Sequence, residues 1–374
     1  MQHPEYILFL PKWYPNDEDP QLGVFIQKQA QAVAQFESVV VLYVQKKDQL
    51  EENYKIQEKR TGNLTELTVQ FRAGKSKVSN LKRYRNAQKR GFAHLDGYPS
   101  LCHVHVPVRS SFLAQRLKRK KQIPFLISEH WSGFLNGKFE KKGALYKWMY
   151  QSVIKKAQKS IVISEALQKA FVKYDMEEPI IVPNIIDVDS AKVDKENIIL
   201  TVGDLVDETK NISGIINAFS MWKNKADSPF QLHIIGGGED EMKLRNLASE
   251  KECKKDIIFH GRLENQEVLQ WMKRSKIYVC NSNFETFGVT VAEAIAAGCP
   301  VICSKCQGPE QFIDDKTGIL IPKDDQASLS IALETIIANY SQYNIEQISL
   351  KIGDKYSAEA VGKQLMSIYK NIYK

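Results

Sequence analysis

Long apolar runs are missing from this 374-residue sequence. The first strand-like stretch, residues 6–10 (YILFL), stops at Pro11 with no basic segment ahead of it, and no run approaches the ~18 apolar residues of a membrane span. A cytoplasmic protein is therefore expected. Cysteine is sparse, at six residues in a chain far too long for a small disulfide scaffold, so buried thiols in a reducing compartment are expected. Cys303 and Cys306 form a C-x-x-C, but a zinc ribbon needs a second pair, and Cys102, Cys253 and Cys280 are widely separated singles; the spacing reads as chance. Neither D-x-D, at Asp17/Asp19 and Asp187/Asp189, follows a strand as a metal site requires. Both read as solvated turn acids, so no metal is expected. No internal repeat or low-complexity tract is present.

Charge is plentiful but uneven. Residues 1–186 carry 30 Lys and Arg against 17 Asp and Glu, leaving 22 against 27 for the remainder. Three basic clusters, residues 75–90, 116–121 and 138–147, lie beside Tyr84, Phe139, Tyr146 and Trp148. Such surfaces hold proteins on anionic lipid at about 1 kcal/mol per well-placed cation. Peripheral contact with the inner face of a membrane is one expectation; plain solvated helix faces are the other. No nucleic-acid partner is expected, although the same runs offer phosphate contacts.

Short β-branched runs alternate with amphipathic stretches, which implies parallel sheets wrapped by helices. Strands are predicted over 6–10, 39–44, 102–106, 125–128 and 161–164, with helices over 24–35, 78–93, 143–157 and 165–174. Residues 65–71 read as an extra antiparallel strand. The pattern restarts at Asn197 after a polar, proline-broken join over 183–196. The expected class is α/β with two Rossmann-like domains, 1–186 and 187–355, and a C-terminal amphipathic helix over 356–374.

One stretch organises the second half: residues 281–300, NSNFETFGVTVAEAIAAGCP. An apolar strand precedes it, and Val289 starts a short helix that Gly298 and Pro300 close. The loop before that helix thus lies at a strand's carboxyl end, where open α/β sheets bind ligands. Gly288, Val289 and Thr290 present the positive end of the helix, which attracts phosphate. Glu285 lies in the loop and Glu293 one to two turns into the helix, placed to accept bonds from vicinal hydroxyls. Phosphate, ribose and a second polyol together describe a nucleotide sugar.

Glu285 and Glu293, with Phe287-Gly288 between them, match an E-x7-E signature. On these residues, and on Gly23, Ser128-Glu129-His130, Val202-Gly203, Lys210-Asn211, Ile235-Gly236, His260-Gly261-Arg262 and Gly308-Pro309-Glu310 in the same order, the chain resembles the retaining glycosyltransferases of family 4. The resemblance implies the GT-B fold, two domains facing a cleft with the terminal helix crossing back to the first. It implies a sugar transferred from a nucleoside diphosphate, UDP or GDP, to a glycan or lipid-linked acceptor, with retention, without metal or other cofactor, in surface-polysaccharide synthesis.

By that resemblance Lys210 and the Gly288 helix terminus meet the leaving diphosphate, Glu285 grips the donor sugar and Glu293 the ribose. His130 contacts the sugar from the first domain, and Gly23, Gly236, Arg262, Phe287 and Val289 complete the donor surroundings. The first loop has one glycine where many relatives have two. Asp204 stands where the family places an arginine, and an aspartate there would repel a diphosphate unless it points away or another cation compensates. Two other readings stay open: a nucleotide-sugar epimerase of the same fold, and a basic scaffold with a degenerate donor site.

Overall fold

The computed structural model describes residues 5–187 and 193–373. Val188 and Asp189 of the second D-x-D fall outside the described residues. Two compact units emerge, one of residues 1–185 with 358–374 and one of residues 186–357.

The first unit holds an eight-stranded sheet. Its strands are β1 (Ile7–Pro11), β2 (Val39–Lys47), β3 (Tyr54–Thr61), β4 (Leu64–Arg72), β5 (Leu101–His105), β6 (Phe125–Glu129), β7 (Ser160–Val162) and β8 (Ile180–Ile181), in the order β3-β4-β2-β1-β5-β6-β7-β8. The central strands β1, β5 and β6 are buried along their whole length, as parallel strands covered on both faces must be. Residues 65–71 do pair antiparallel, but with β3; toward β2 the same strand is parallel over its full length. β3 itself, YKIQEKRT, has no apolar run to announce it, and its charged, exposed side chains suit an edge that must not recruit another strand.

The terminal helix Ala358–Tyr373 packs on the helix Val24–Ala34 within this unit. Gly362 permits the close crossing, because a Cβ there would stand 2.9 Å from the Ala32 carbonyl oxygen. Val361, Leu365, Met366 and Tyr369 join the core formed by β1, β2 and β5. Tyr369 also engages the strand beneath through its hydroxyl, 2.7 Å from His103 Nδ1.

The second unit contains β9 (Glu196–Val202), β10 (Gln231–Ile235), β11 (Ile257–Gly261), β12 (Ser275–Cys280), β13 (Val301–Ser304) and β14 (Gly318–Ile321). All pairings are parallel, in the order β11-β10-β9-β12-β13-β14. The winding direction reverses between β9 and β12. At such a switch the loops leaving two adjacent strands part in opposite directions and open a crevice at their carboxyl ends. Those two loops carry Lys210 and Glu285.

Candidate functional site

The crevice is assembled from chain segments some 75 positions apart, and a set of polar ties brings them together. After β9 the chain turns through Gly203 and forms the short helix Asp207–Lys210. After β12 it runs Asn281-Ser282-Asn283. The Asn283 backbone N–H donates to the Thr209 carbonyl at 2.8 Å and its side-chain amide to the Glu208 carbonyl at 2.8 Å, while the Asn281 amide reaches the Asn211 carbonyl at 3.3 Å. Lys210 extends over Gly203, where a Cβ would lie 3.2 Å from its Cε, and its ammonium forms an ion pair with Glu285. The Ser282 hydroxyl donates to the same carboxylate oxygen at 3.0 Å.

Both members of the pair keep about a fifth of their side-chain surface, 22% for Lys210 and 19% for Glu285. Burial, the largest single influence, would lower the Lys210 pKa, but the charge and hydrogen bond of Glu285 together with Cys280 and Asp204 exceed it, and the net shift is upward. The lysine is a fixed cation. Glu285 is anchored from behind as well: its N–H donates to the Cys306 carbonyl at 2.9 Å, and its carbonyl accepts from Gly308 N–H at 3.0 Å.

Gly288 precedes the helix Val289–Ala296 at φ 82°, a left-handed conformation that favours glycine, and no side chain caps the helix start. The first amides of that helix, Val289 included, therefore have no side-chain competitor for an anion. Phe287 contributes its ring to packing instead of to a ligand. It is 1% exposed and meets Phe312 and Tyr356 edge-on at 5.2 and 6.1 Å, so only its backbone is available to the crevice. Glu293 lies on the same helix and is 3% exposed. The turn Gly308–Phe312 buttresses the loop, since a Cβ on Gly308 would stand 2.5 Å from the Phe287 amide.

Gly236 follows β10 at φ 141°, and a Cβ there would lie 1.8 Å from the Gly203 carbonyl oxygen. Close backbone approach thus fuses the turns after β9 and β10, helped by the Leu205 N–H bond to the Gly237 carbonyl at 3.1 Å. Arg262 lies over this junction. Its guanidinium donates to Asp204 at 2.8 Å and to the Gly237 carbonyl at 3.3 Å. Asp204, the residue out of place in the sequence comparison, is therefore answered by a cation delivered from the end of β11.

Gly23 and His130 belong to the first unit. Gly23 sits at φ 69° before the helix Val24–Ala34, with a virtual Cβ 2.5 Å from the Trp13 carbonyl oxygen, so the loop after β1 requires glycine there. His130 follows β6. Its ring packs at 4.7 Å on Phe25 and lies parallel to His105 at 5.5 Å, with Nε2 3.2 Å from His105 Nδ1. Burial pushes its pKa down to about 3, so the imidazole is neutral. Its Nδ1 has no partner among the described residues.

Glu129 escaped assignment from sequence, although the Ser128-Glu129-His130 triplet pointed beside it. It is fully buried, accepts from His130 N–H at 2.8 Å and Trp131 N–H at 2.7 Å, and receives the Tyr150 hydroxyl. Burial raises its pKa while those hydrogen bonds resist. It therefore fixes the backbone that aims His130. His103 and His105 are buried neighbours in β5, with ring centroids 4.0 Å apart, and act as packed core polar groups. Asp17 and Glu18 are tied to Lys47, each at 2.8 Å. Cys303 and Cys306 of the C-x-x-C lie with Cys280 in one buried cluster.

Comparison with known proteins bears on this geometry. Residues 23–190 match the family model "Glycosyltransferase Family 4" and residues 184–347 match "Glycosyl transferases group 1". The chain is 25% identical over 180 residues to an uncharacterized glycosyltransferase of Methanocaldococcus jannaschii, covering 47% of this chain and 45% of that protein. It is 24% identical over 298 residues to a phosphatidyl-myo-inositol mannosyltransferase of Mycobacterium leprae, covering 74% and 75%. Sucrose-phosphate synthase from Thermosynechococcus elongatus superposes with a TM-score of 0.79 at 18% identity, over 99% of both chains. Anabaena HepE, solved with UDP and glucose, does so with a TM-score of 0.73 at 13% identity, over 98% and 100%. Two α/β units, two family matches that together span residues 23–347 and these neighbours agree: the chain has the GT-B fold and belongs to the group 1, family 4 glycosyltransferases.

Proposed function

We propose that the protein moves a sugar from a nucleoside diphosphate, UDP or GDP, to a glycan or lipid-linked acceptor of the kind used in surface-polysaccharide assembly, with retention and without a catalytic metal. The observation that carries this reading is the Lys210–Glu285 pair beside the uncapped start of the helix Val289–Ala296. A leaving diphosphate concentrates negative charge, and a fixed ammonium with preorganised amides stabilises that charge without reorganisation. When the diphosphate arrives, Lys210 can bridge it to Glu285, whose second oxygen remains to orient donor-sugar hydroxyls. Arg262 pairs with Asp204 and so offsets its repulsion of a diphosphate, and Glu293 is assigned to the ribose. Gly23 and His130 are retained as substrate-contacting residues of the first unit, with the free Nδ1 of His130 as an acceptor or donor for a hydroxyl. That Anabaena HepE holds UDP and glucose supports a nucleotide-sugar donor. The mycobacterial relative's name supports an acceptor with a lipid portion.

The first unit has a surface suited to such an acceptor. Arg85, Lys89, Arg116, Lys118, Arg119 and Lys156 line a concavity of about 550 Å³ with Phe112 and Trp148, and no acidic side chain is among its described lining. Trp148 is 65% exposed and Leu145, one turn earlier, 70%. Cations beside exposed apolar side chains suit phosphate groups at a membrane surface. No helix among the described residues is long and apolar enough to cross a membrane.

Nucleotide binding tests the donor site. UDP or GDP should raise the melting temperature saturably, as any ligand selective for the folded state must, and indifference to both nucleotides would refute the reading. Sedimentation with anionic vesicles tests the membrane contact: binding should occur at low salt, weaken over the screening range near 8 Å, and vanish in the Arg116→Glu, Arg119→Glu double variant. Vesicle binding that is absent at low salt would remove it.

A further inference from the structure

Three of the six cysteines converge at the functional end of the second sheet. Cys280 ends β12 and stands directly opposite Cys303 in β13. The chain then folds back through bonds from Lys305 N–H to the Ile321 carbonyl at 2.9 Å and from Cys306 N–H to the Ser304 carbonyl at 2.7 Å. That turn swings Cys306 onto the other two. All three sulfur atoms lie within 4.8 Å of one another, with Cys303 and Cys306 at 4.0 Å. Cys280 is 7% exposed, and Cys303 and Cys306 are fully buried. The remaining cysteines do not take part in this cluster; Cys299, for example, donates to the Met272 carbonyl.

We propose that Cys280, Cys303 and Cys306 form a thiolate site for a thiophilic d10 cation, Zn²⁺ or Cu⁺, which staples together the two loops that hold Glu285. Metal–sulfur bonds of about 2.3 Å set sulfurs roughly 3.7 to 4.0 Å apart in tetrahedral or trigonal arrangements. The spacing between Cys303 and Cys306 already falls there. Soft thiolate sets select this class of cation over Mg²⁺ or Ca²⁺. Three packed thiols are otherwise only small hydrophobes with weak donors, whereas a cation replaces three S–H groups by three bonds. Each thiol that binds releases one proton to solvent, and the oxidation state of the metal does not change. With Zn²⁺ the three thiolates leave one net negative charge.

The staple has a mechanical consequence. Cys280 opens the loop containing Ser282 and Glu285, and Cys306 supplies the carbonyl that accepts from Glu285 N–H at 2.9 Å. Ser282 in turn holds the Glu285 carboxylate at 3.0 Å, and its own hydroxyl lies 3.6 Å from Cys280 Sγ. A cation on the three sulfurs would fix both ends of that support. The role is structural and does not depend on which sugar, or whether a sugar, is transferred.

The test uses the intact chain, purified with a phosphine reductant and freed of metal by chelation. Titration with Cd²⁺ should give a thiolate-to-metal ultraviolet absorption that saturates at one equivalent. Zn²⁺ and Cu⁺, added in separate experiments, should each displace it. Cys306→Ser, in a turn outside the strands, should lower affinity by at least about 100-fold, beyond the 10–100-fold typical of losing an outer-shell partner. Cys253→Ser should leave affinity unchanged. No absorption in the wild type overturns the proposal, as does one that survives in Cys306→Ser. Because the wild-type titration needs no variant, a misfolded substitution cannot protect the idea.

Discussion

Replacing Lys210 by alanine removes the cation paired with Glu285, and the structure sets the size of the effect. A unit charge about 4 Å from a leaving phosphate oxygen contributes about 4 kcal/mol at the effective dielectric of a partly buried site. Losing one preorganised transition-state partner costs about 2.7 to 4 kcal/mol, so kcat should fall by about 100- to 1,000-fold. Stability should change far less. The pair is only partly buried, at 22% and 19% exposure, and Glu285 retains its bond from Ser282. The cost then lies between that of an exposed pair and a broken buried one, about 1 to 2 kcal/mol, or roughly 2 to 8 °C in Tm.

The pH dependence has a definite sign. Because the Lys210 pKa is raised in the folded state, its contribution is complete below the ordinary lysine value and is lost only as pH climbs through the higher one. The ratio of wild-type to variant rate should therefore stay flat from about pH 6 to 9. Initial rates of nucleoside diphosphate release, measured with circular dichroism of the same samples, check both quantities. A folded Lys210→Ala enzyme with unchanged kcat would refute the reasoning.

Two further outcomes follow from buried groups. His130 titrates near 3 in the fold against 6.5 ordinarily, so its contribution is complete above 6.5 and is lost as pH falls toward 3; urea unfolding of His130→Asn should show a shallower acid loss by up to ~1.4 kcal/mol per pH unit, and identical slopes would contradict the burial argument. Glu293→Gln should weaken UDP or GDP binding by about 1.5 to 3 kcal/mol, because an amide accepts poorly where a carboxylate takes two hydroxyls; calorimetry that finds unchanged affinity would detach Glu293 from the ribose.

Several features were readable from the chain alone because they are local. The apolar runs of β1 and β10, the Ala- and Glu-rich helix after Gly288, and the glycines that precede helices announce themselves within a few residues. The arrangement of the site did not, because sheet order decides it. Lys210 meets Glu285 only because β9 and β12 are neighbours, and Cys280 meets Cys303 only because β12 and β13 are. Counting cysteine spacings along the chain makes Cys280 a stray. Asp204 illustrates the same limit, since its partner Arg262 arrives from β11, two strands away. β3 was invisible for a different reason: an exposed edge strand carries charge where a pattern search looks for apolar alternation. The polar triplet Asn281-Ser282-Asn283 after a wholly apolar strand end was a usable signal, and it marks the loop ties that support Glu285.

The central claim is that the Lys210–Glu285 crevice turns over a nucleotide sugar for an acceptor. Its most direct measurement is nucleoside diphosphate release from a panel of UDP- and GDP-sugars, with and without lipid-linked glycan acceptors, for the wild type and Glu285→Gln side by side. The account predicts release that depends on acceptor in the wild type, and a fall of about 100-fold or more in Glu285→Gln with nucleotide affinity nearly intact. Release at the wild-type rate from Glu285→Gln, or turnover of the donor that is indifferent to every acceptor, would contradict it.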